Sequence, residues 1–191
     1  AMKILNILFI MTMLLNFGVA QNTDQISTNS TEAALVHANN QWNEASYGAF
    51  GEVESRRYTF DTDSSFRNGN WYTELLISSD EMGSAWNGTG QYFRMSGNQV
   101  YELIDDTDYL LYDFALNLGD TFTVEPSGSW SEARDLVVTS VDSVVLMDQT
   151  LRKRWVLSCM DGTGETVWVE GIGDLRGLLS VKKSCLLDVN A

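Results

Sequence analysis

The sequence is poor in the residues that carry most enzymatic and metal chemistry. Its 191 residues include one His and two Cys. The lone His37 rules out any His-pair zinc site, and every Ser-His-Asp or Cys-His mechanism would have to use it. No Gly-x-Ser-x-Gly elbow accompanies it. It lies in a polar stretch, where an exposed and inert imidazole is expected. Two cysteines cannot complete a structural zinc tetrahedron. Cationic residues are also scarce: 12 Lys and Arg stand against 26 Asp and Glu, a net charge of −14. A phosphate backbone repels a chain of that sign, so nucleic acid is excluded as a partner. The single proline, Pro126, sits in the loop Glu125-Pro126-Ser127-Gly128-Ser129, where its missing N–H costs nothing. With 44% hydrophobic residues and so little proline, the chain reads as globular.

One long apolar run is present, and it lies at the start. Met2 and Lys3 form a short positive region, and residues 4–17 are almost continuously apolar. Gly18-Val19-Ala20 then places small residues at −3 and −1 of a cleavage point before Gln21. This is the pattern of a secretory signal peptide over residues 1–20, too short to span a bilayer. Ala1 precedes Met2 and is left out of fold reasoning. Removing Lys3 makes the mature chain one unit more negative. No later run is long enough to span, so a soluble, secreted or cell-surface protein is expected. No Cys follows the cleavage point, so a bacterial lipid anchor has no attachment site there. In that oxidising setting Cys159 and Cys185 are expected to pair. The bond would stabilise the fold by about 3.5 kcal/mol on the chain-entropy model; two buried thiols are the alternative.

Residues 21–40 are rich in Asn, Thr and Ser and read as a flexible N-terminal arm. A short helix over 31–37 is allowed there, capped by Ser30 or Thr31. From 41 to 191 the pattern is that of one β-rich domain. Arg57–Phe60 alternates and is expected to turn at Asp61-Thr62-Asp63. Asn68-Gly69 is a type I′ hairpin signal, and Ser96-Gly97-Asn98 marks a second hairpin. Tyr109–Phe114, Thr121–Val124, Leu136–Met147, Leu151–Leu157, Thr166–Val169 and Leu178–Val181 complete the strand runs. The adjacent apolar residues Leu110-Leu111-Tyr112 suit a strand buried on both faces. Gly171 and Gly173 suggest a bulge or close backbone approach. No helical period is sustained, so the expected fold is an all-β antiparallel sandwich or barrel-like sheet.

Candidate chemistry is sparse. Asp105, Asp106 and Asp108 form the densest acid cluster, with Asp61 and Asp63 as a second. Alternating oxygen ligands can hold Ca²⁺, although neither segment is an EF-hand loop and Asp is common in turns. With 26 acids, a carboxylate pair for glycoside hydrolysis is unselective. The six Trp are more informative. Trp71, Trp155 and Trp168 lie in apolar strands and are expected to fill the core. Trp86 and Trp130 lie in Gly/Ser/Asn-rich loops and are the candidate ligand-binding residues, by stacking on sugar rings. Arg152-Lys153-Arg154 is the only basic cluster, and pairing with neighbouring acids is expected of it.

Several segments together resemble a known family. They are Asn40-Gln41-Trp42-Asn43-Glu44, Phe60-Asp61-Thr62, Tyr92-Phe93-Arg94, Val100-Tyr101, Leu110-Leu111-Tyr112-Asp113-Phe114, Leu118-Gly119-Asp120-Thr121, Arg154-Trp155 and Trp168-Val169-Glu170-Gly171-Ile172-Gly173 with Gly177-Leu178-Leu179. The likeness covers most of 40–185. It is to the uncharacterised β-rich domain of secreted bacterial proteins that often carry a C-terminal type IX secretion sorting domain. The resemblance implies an extracellular or surface location and no particular activity. No sorting domain follows Cys185 as far as Ala191, so either a fragment or export without that tail is expected.

Two functions follow. The first is a non-enzymatic binding or surface-structural module whose partner is an extracellular glycan or another surface protein. The second is a secreted carboxylate-dependent hydrolase such as a glycosidase, which would need a cleft and a perturbed carboxylate.

Overall fold

A computed structural model describes residues 34–47, 53–80, 83–126, 132–183 and 185. The expected signal peptide, and Trp130, lie outside these residues. The described chain is all-β, in two antiparallel sheets, each curled into a half-barrel. The first sheet is a six-stranded meander: β1 (Gln41–Tyr47), β2 (Val53–Arg67), β3 (Asn70–Ser78), β4 (Asn87–Ser96), β5 (Gln99–Ile104) and β6 (Thr107–Asp113). The second contains β7 (Thr121–Val124), β8 (Arg134–Val145), β9 (Leu151–Cys159), β10 (Glu165–Val169) and β11 (Gly173–Asp174), again paired in chain order.

Local chemistry sets the turns. Asn68 and Gly69 both take positive φ, 45° and 79°, as a type I′ hairpin requires. Gly97 (φ 57°) opens the β4–β5 hairpin. Asp105 and Asp106, at φ 47° and 60°, make the β5–β6 turn, because Asp tolerates the left-handed region better than most residues. Between β6 and β7, Asn117 N–H is capped by Asp120 Oδ2, and Gly119 sits at φ 88°.

The core lies between the sheets. From the first come Phe60, Leu75, Phe93, Val100 and Tyr112; from the second Phe122, Leu136, Trp155, Leu157 and Trp168. Tyr112 meets Trp168 edge to face at 5.1 Å, and Phe114 packs against Trp155 at 5.4 Å. Leu111 and Tyr112 are both buried despite being adjacent, beside a register shift at Val100/Tyr101. Burial pushes the Tyr112 phenol well above its ordinary value, and its hydroxyl donates to Leu178 O while accepting from Asp174 N–H.

Four local expectations are corrected. Asp61–Asp63 does not turn: β2 runs through it as an irregularity between Phe60 and Ser64. Leu178–Val181 is not a strand. It forms a turn leading into a 3₁₀ turn at Ser180–Lys183, and Leu178 and Val181 are driven into the core. The helix allowed over 31–37 does not form across its described part, 34–37. Leu35, from the polar arm, is instead fully buried, and Asn40 Nδ2 holds that segment by donating to Leu35 O at 2.9 Å and to Gly171 O at 3.4 Å. Finally, Trp155 and Trp168 fill the core, but Trp71 does not.

The expected disulfide is present: Cys159 at the end of β9 joins Cys185. It ties the segment after the 3₁₀ turn to the second sheet.

Candidate binding surface

Trp71 and Phe66 are the anomaly of the first sheet. They are paired across β2 and β3, two positions from the Asn68-Gly69 turn, with ring centroids 5.4 Å apart. Strand alternation puts Trp71 on the same face of β3 as Thr73 and the core residue Leu75. That face should be buried, yet Trp71 is 65% and Phe66 61% exposed. The β2–β3 hairpin therefore carries its inner face past the region covered by the core. The next pair along, Ser64 and Thr73, presents two hydroxyls 3.3 Å apart on the same side. Two aromatic faces and two hydroxyls, with no charge among them, form one strip.

The opposite face of this sheet is ionic. Arg94 Nε and Nη2 both donate to Asp108 Oδ2, at 3.0 and 2.6 Å, and Tyr72 donates to Oδ1 at 2.8 Å. The Arg94 guanidinium lies 4.3 Å from the Tyr101 ring centroid, and that of Arg67 lies 3.7 Å from the Tyr92 centroid. Desolvation, followed by its bond to Asp108, pushes the Tyr72 phenol up; the hydrogen bond to Asp108 raises Arg94.

This lattice places the candidate calcium ligands. Asp108 is turned onto Arg94 and Tyr72, while Asp105 and Asp106 form the turn, where Asp106 O accepts from Asn68 Nδ2 at 2.6 Å. Asp61 Oδ1 accepts the N–H groups of Thr62 and Asp63. Among the described residues, no three His, Cys, Asp or Glu side chains are grouped to hold a metal ion.

Trp86 is half-buried just before β4. A Cβ on Gly83 would lie 3.3 Å from its ring and 3.0 Å from Arg57 Nη1, so ring and guanidinium flank that glycine closely. Beside Arg57, an open groove of about 330 Å³ is lined by Asn43, Glu44, Ser55, Arg56 and Asp80, and Arg57 Nε donates to Asn43 Oδ1 at 2.9 Å. His37 is exposed, with Nδ1 accepting from Asn39 N–H. In the basic cluster, Arg154 forms a bidentate pair with Asp142 and holds its carboxyl below the usual range.

Sequence reasoning missed Phe66 and Trp71 as surface residues. A signal was available: residues flanking a two-residue turn at equal distance must face each other, so 66 and 71 were bound to be neighbours. Their exposure had no local signal. The chain matches no protein-family model, no curated protein and no solved structure.

Proposed function

We propose that this is an exported, non-catalytic binding module that holds a neutral sugar ring on the Phe66–Trp71 strip. The observation that carries the reading is the double exposure of two aromatic side chains paired across one hairpin. Aromatic faces left in water next to hydroxyls match a ligand with an apolar C–H face and a hydroxylated rim. The strip is borne by strands, so little side-chain or loop ordering is needed on binding. The disulfide and the N-terminal apolar run support export, and the resemblance to secreted bacterial domains points the same way.

Binding is favoured over glycoside hydrolysis by the acids themselves. Among the described residues, the acids with displaced pKa values, Asp142, Asp148 and Asp161, all move down, held by Arg154, Thr150 and Thr163 respectively. A glycosidase needs one carboxyl moved up to donate a proton. The test is calorimetry against a panel of neutral and acidic oligosaccharides, with Trp71→Ala beside the wild type. Saturable heat that Trp71→Ala abolishes at unchanged melting temperature is the expected result. No heat from any sugar, or heat unaffected by Trp71→Ala and Phe66→Ala, would overturn it.

A further inference from the structure

Glu102 is a carboxylate at an inward position of β5. It is directly paired with Phe93, in line with Val100, and is 2% exposed. Two groups reach it, one for each oxygen. Gln91 Nε2 lies 3.3 Å from Oε1. Lys182 Nζ, from the 3₁₀ turn after the second sheet, lies against Oε2. That second contact is an ion pair, and Oε2 accepts no hydrogen bond besides it. The Lys182 side chain is only 15% exposed, next to the fully buried Val181. One carboxylate thus bridges a primary amine and a primary carboxamide in a water-poor pocket.

We propose that Gln91 and Lys182 become joined by an isopeptide bond inside the folded domain, with Glu102 as the proton relay. Glu102 takes a proton from the Lys182 ammonium and frees its lone pair. Nζ attacks Cδ of Gln91. Glu102 passes the proton to Nε2, the atom already beside Oε1. The attacking nitrogen then gives up a second proton, again through Glu102; the Cδ–Nε2 bond breaks as Cδ–Nζ forms, and the departing ammonia takes that proton and leaves as ammonium. Glu102 ends as the carboxylate it began as, and no oxidant or metal is consumed. Both groups sit on one carboxylate in the fold, so the reaction is intramolecular, and an aligned attack would draw on effective molarities of roughly 10⁵ M. The bond would complete a pattern: the disulfide ties this C-terminal segment to β9 of the second sheet, and the isopeptide would tie it to β4 of the first.

The test is the intact mass of the full, folded chain, followed by a tryptic map after denaturation and reduction. The expected wild-type mass is about 17 Da below that of the disulfide-bonded sequence, with the Gln91 and Lys182 peptides joined. Gln91→Glu is expected to lose about 18 Da, because water replaces ammonia as leaving group. Lys182→Arg keeps the positive charge and is expected at full mass, with near-ultraviolet circular dichroism reporting its fold. Glu102→Ala is expected to fold and stay at full mass. A wild-type chain at full mass overturns the proposal. A wild-type loss of water mapped to Lys182 and Glu102 overturns Gln91 as the acyl donor. A folded Glu102→Ala that still loses ammonia overturns the relay. Should Glu102→Ala not fold, the wild-type mass alone decides.

Discussion

Two hairpin turns in the first sheet solve one backbone problem with different residues. Gly69 stands at φ 79° with nothing within 4 Å of a would-be Cβ, so Gly69→Ala meets no clash and pays only for conformation. A loss of about 1 kcal/mol is expected, read as a shift in urea midpoint at constant slope. Asp106, at φ 60°, is the reverse case. Asp106→Gly is expected to stabilise by about 0.5–1 kcal/mol in the same measurement, since the bond from Asn68 uses the backbone carbonyl and survives. The tryptophans divide similarly. Trp155→Ala opens the core and should cost about 3–5 kcal/mol. Trp71→Ala should cost about 0.5 kcal/mol or less. At this scale the sequence was legible where a residue's own conformational needs decide, as at Asn68-Gly69. At Asp105 and Asp106 it left two readings open, because tolerance of left-handed backbone and capacity to ligate calcium belong to the same side chain, and the structure shows the turn. It misled at Trp71 because alternation shows which face points inward but not how far along the strand the other sheet covers that face.

Among the elements, tight turns and the C-terminal segment carry the demanding contacts. Gly173 (φ 89°) lets the β10–β11 turn close onto the core. An added Cβ would lie 3.1 Å from Leu35 Cδ1 and from the Tyr112 ring. Gly173→Ala should therefore combine strain with overpacking and cost about 2–4 kcal/mol by thermal unfolding. The close approach anticipated near Gly171 and Gly173 is present at Gly173, and its partners, Leu35 and Tyr112, are distant in sequence. Two turns also set a pH response. Asp148 and Asp161 each accept from the hydroxyl and N–H of the Thr two residues on, which lowers both carboxyls. A lowered folded pKa means their contribution is present above the ordinary value of 3.8 and is lost as pH falls through the lowered one. Unfolding midpoints should drop as the pH falls below about 4, and Asp148→Asn should shrink that drop. A midpoint flat across this window would remove these turns from the account. The strand order itself was largely readable, since β-branched runs and turn residues alternate. The 3₁₀ turn was not: Leu178–Val181 is as apolar as a strand, and only the already completed sheets turn it into a core plug.

At the scale of the whole molecule, the two sheets are meanders built from neighbours in the chain, and distant contacts are concentrated at the ends. Trp42 Nε1 donates to Ile172 O at 2.8 Å, and Glu44 Oε1 accepts Leu178 N–H at 2.9 Å. The disulfide spans a sequence separation of 26, for which chain entropy gives about 3.5 kcal/mol. Replacing both Cys159 and Cys185 by Ala should lower the denaturant midpoint accordingly. A much smaller loss would mean that the C-terminal segment is held by something other than sulfur.

Because Leu35, Trp42 and Glu44 each meet a partner in residues 171–178, the order of synthesis matters. The ribosome delivers the entire first meander before any of those partners exist. Until the last residues emerge, a nascent chain keeps its oldest strand waiting, apolar side outward. Termination between β10 and those residues therefore yields a product with both meanders' hairpins in place and an open flank, the kind of surface that chaperones and proteases recognise.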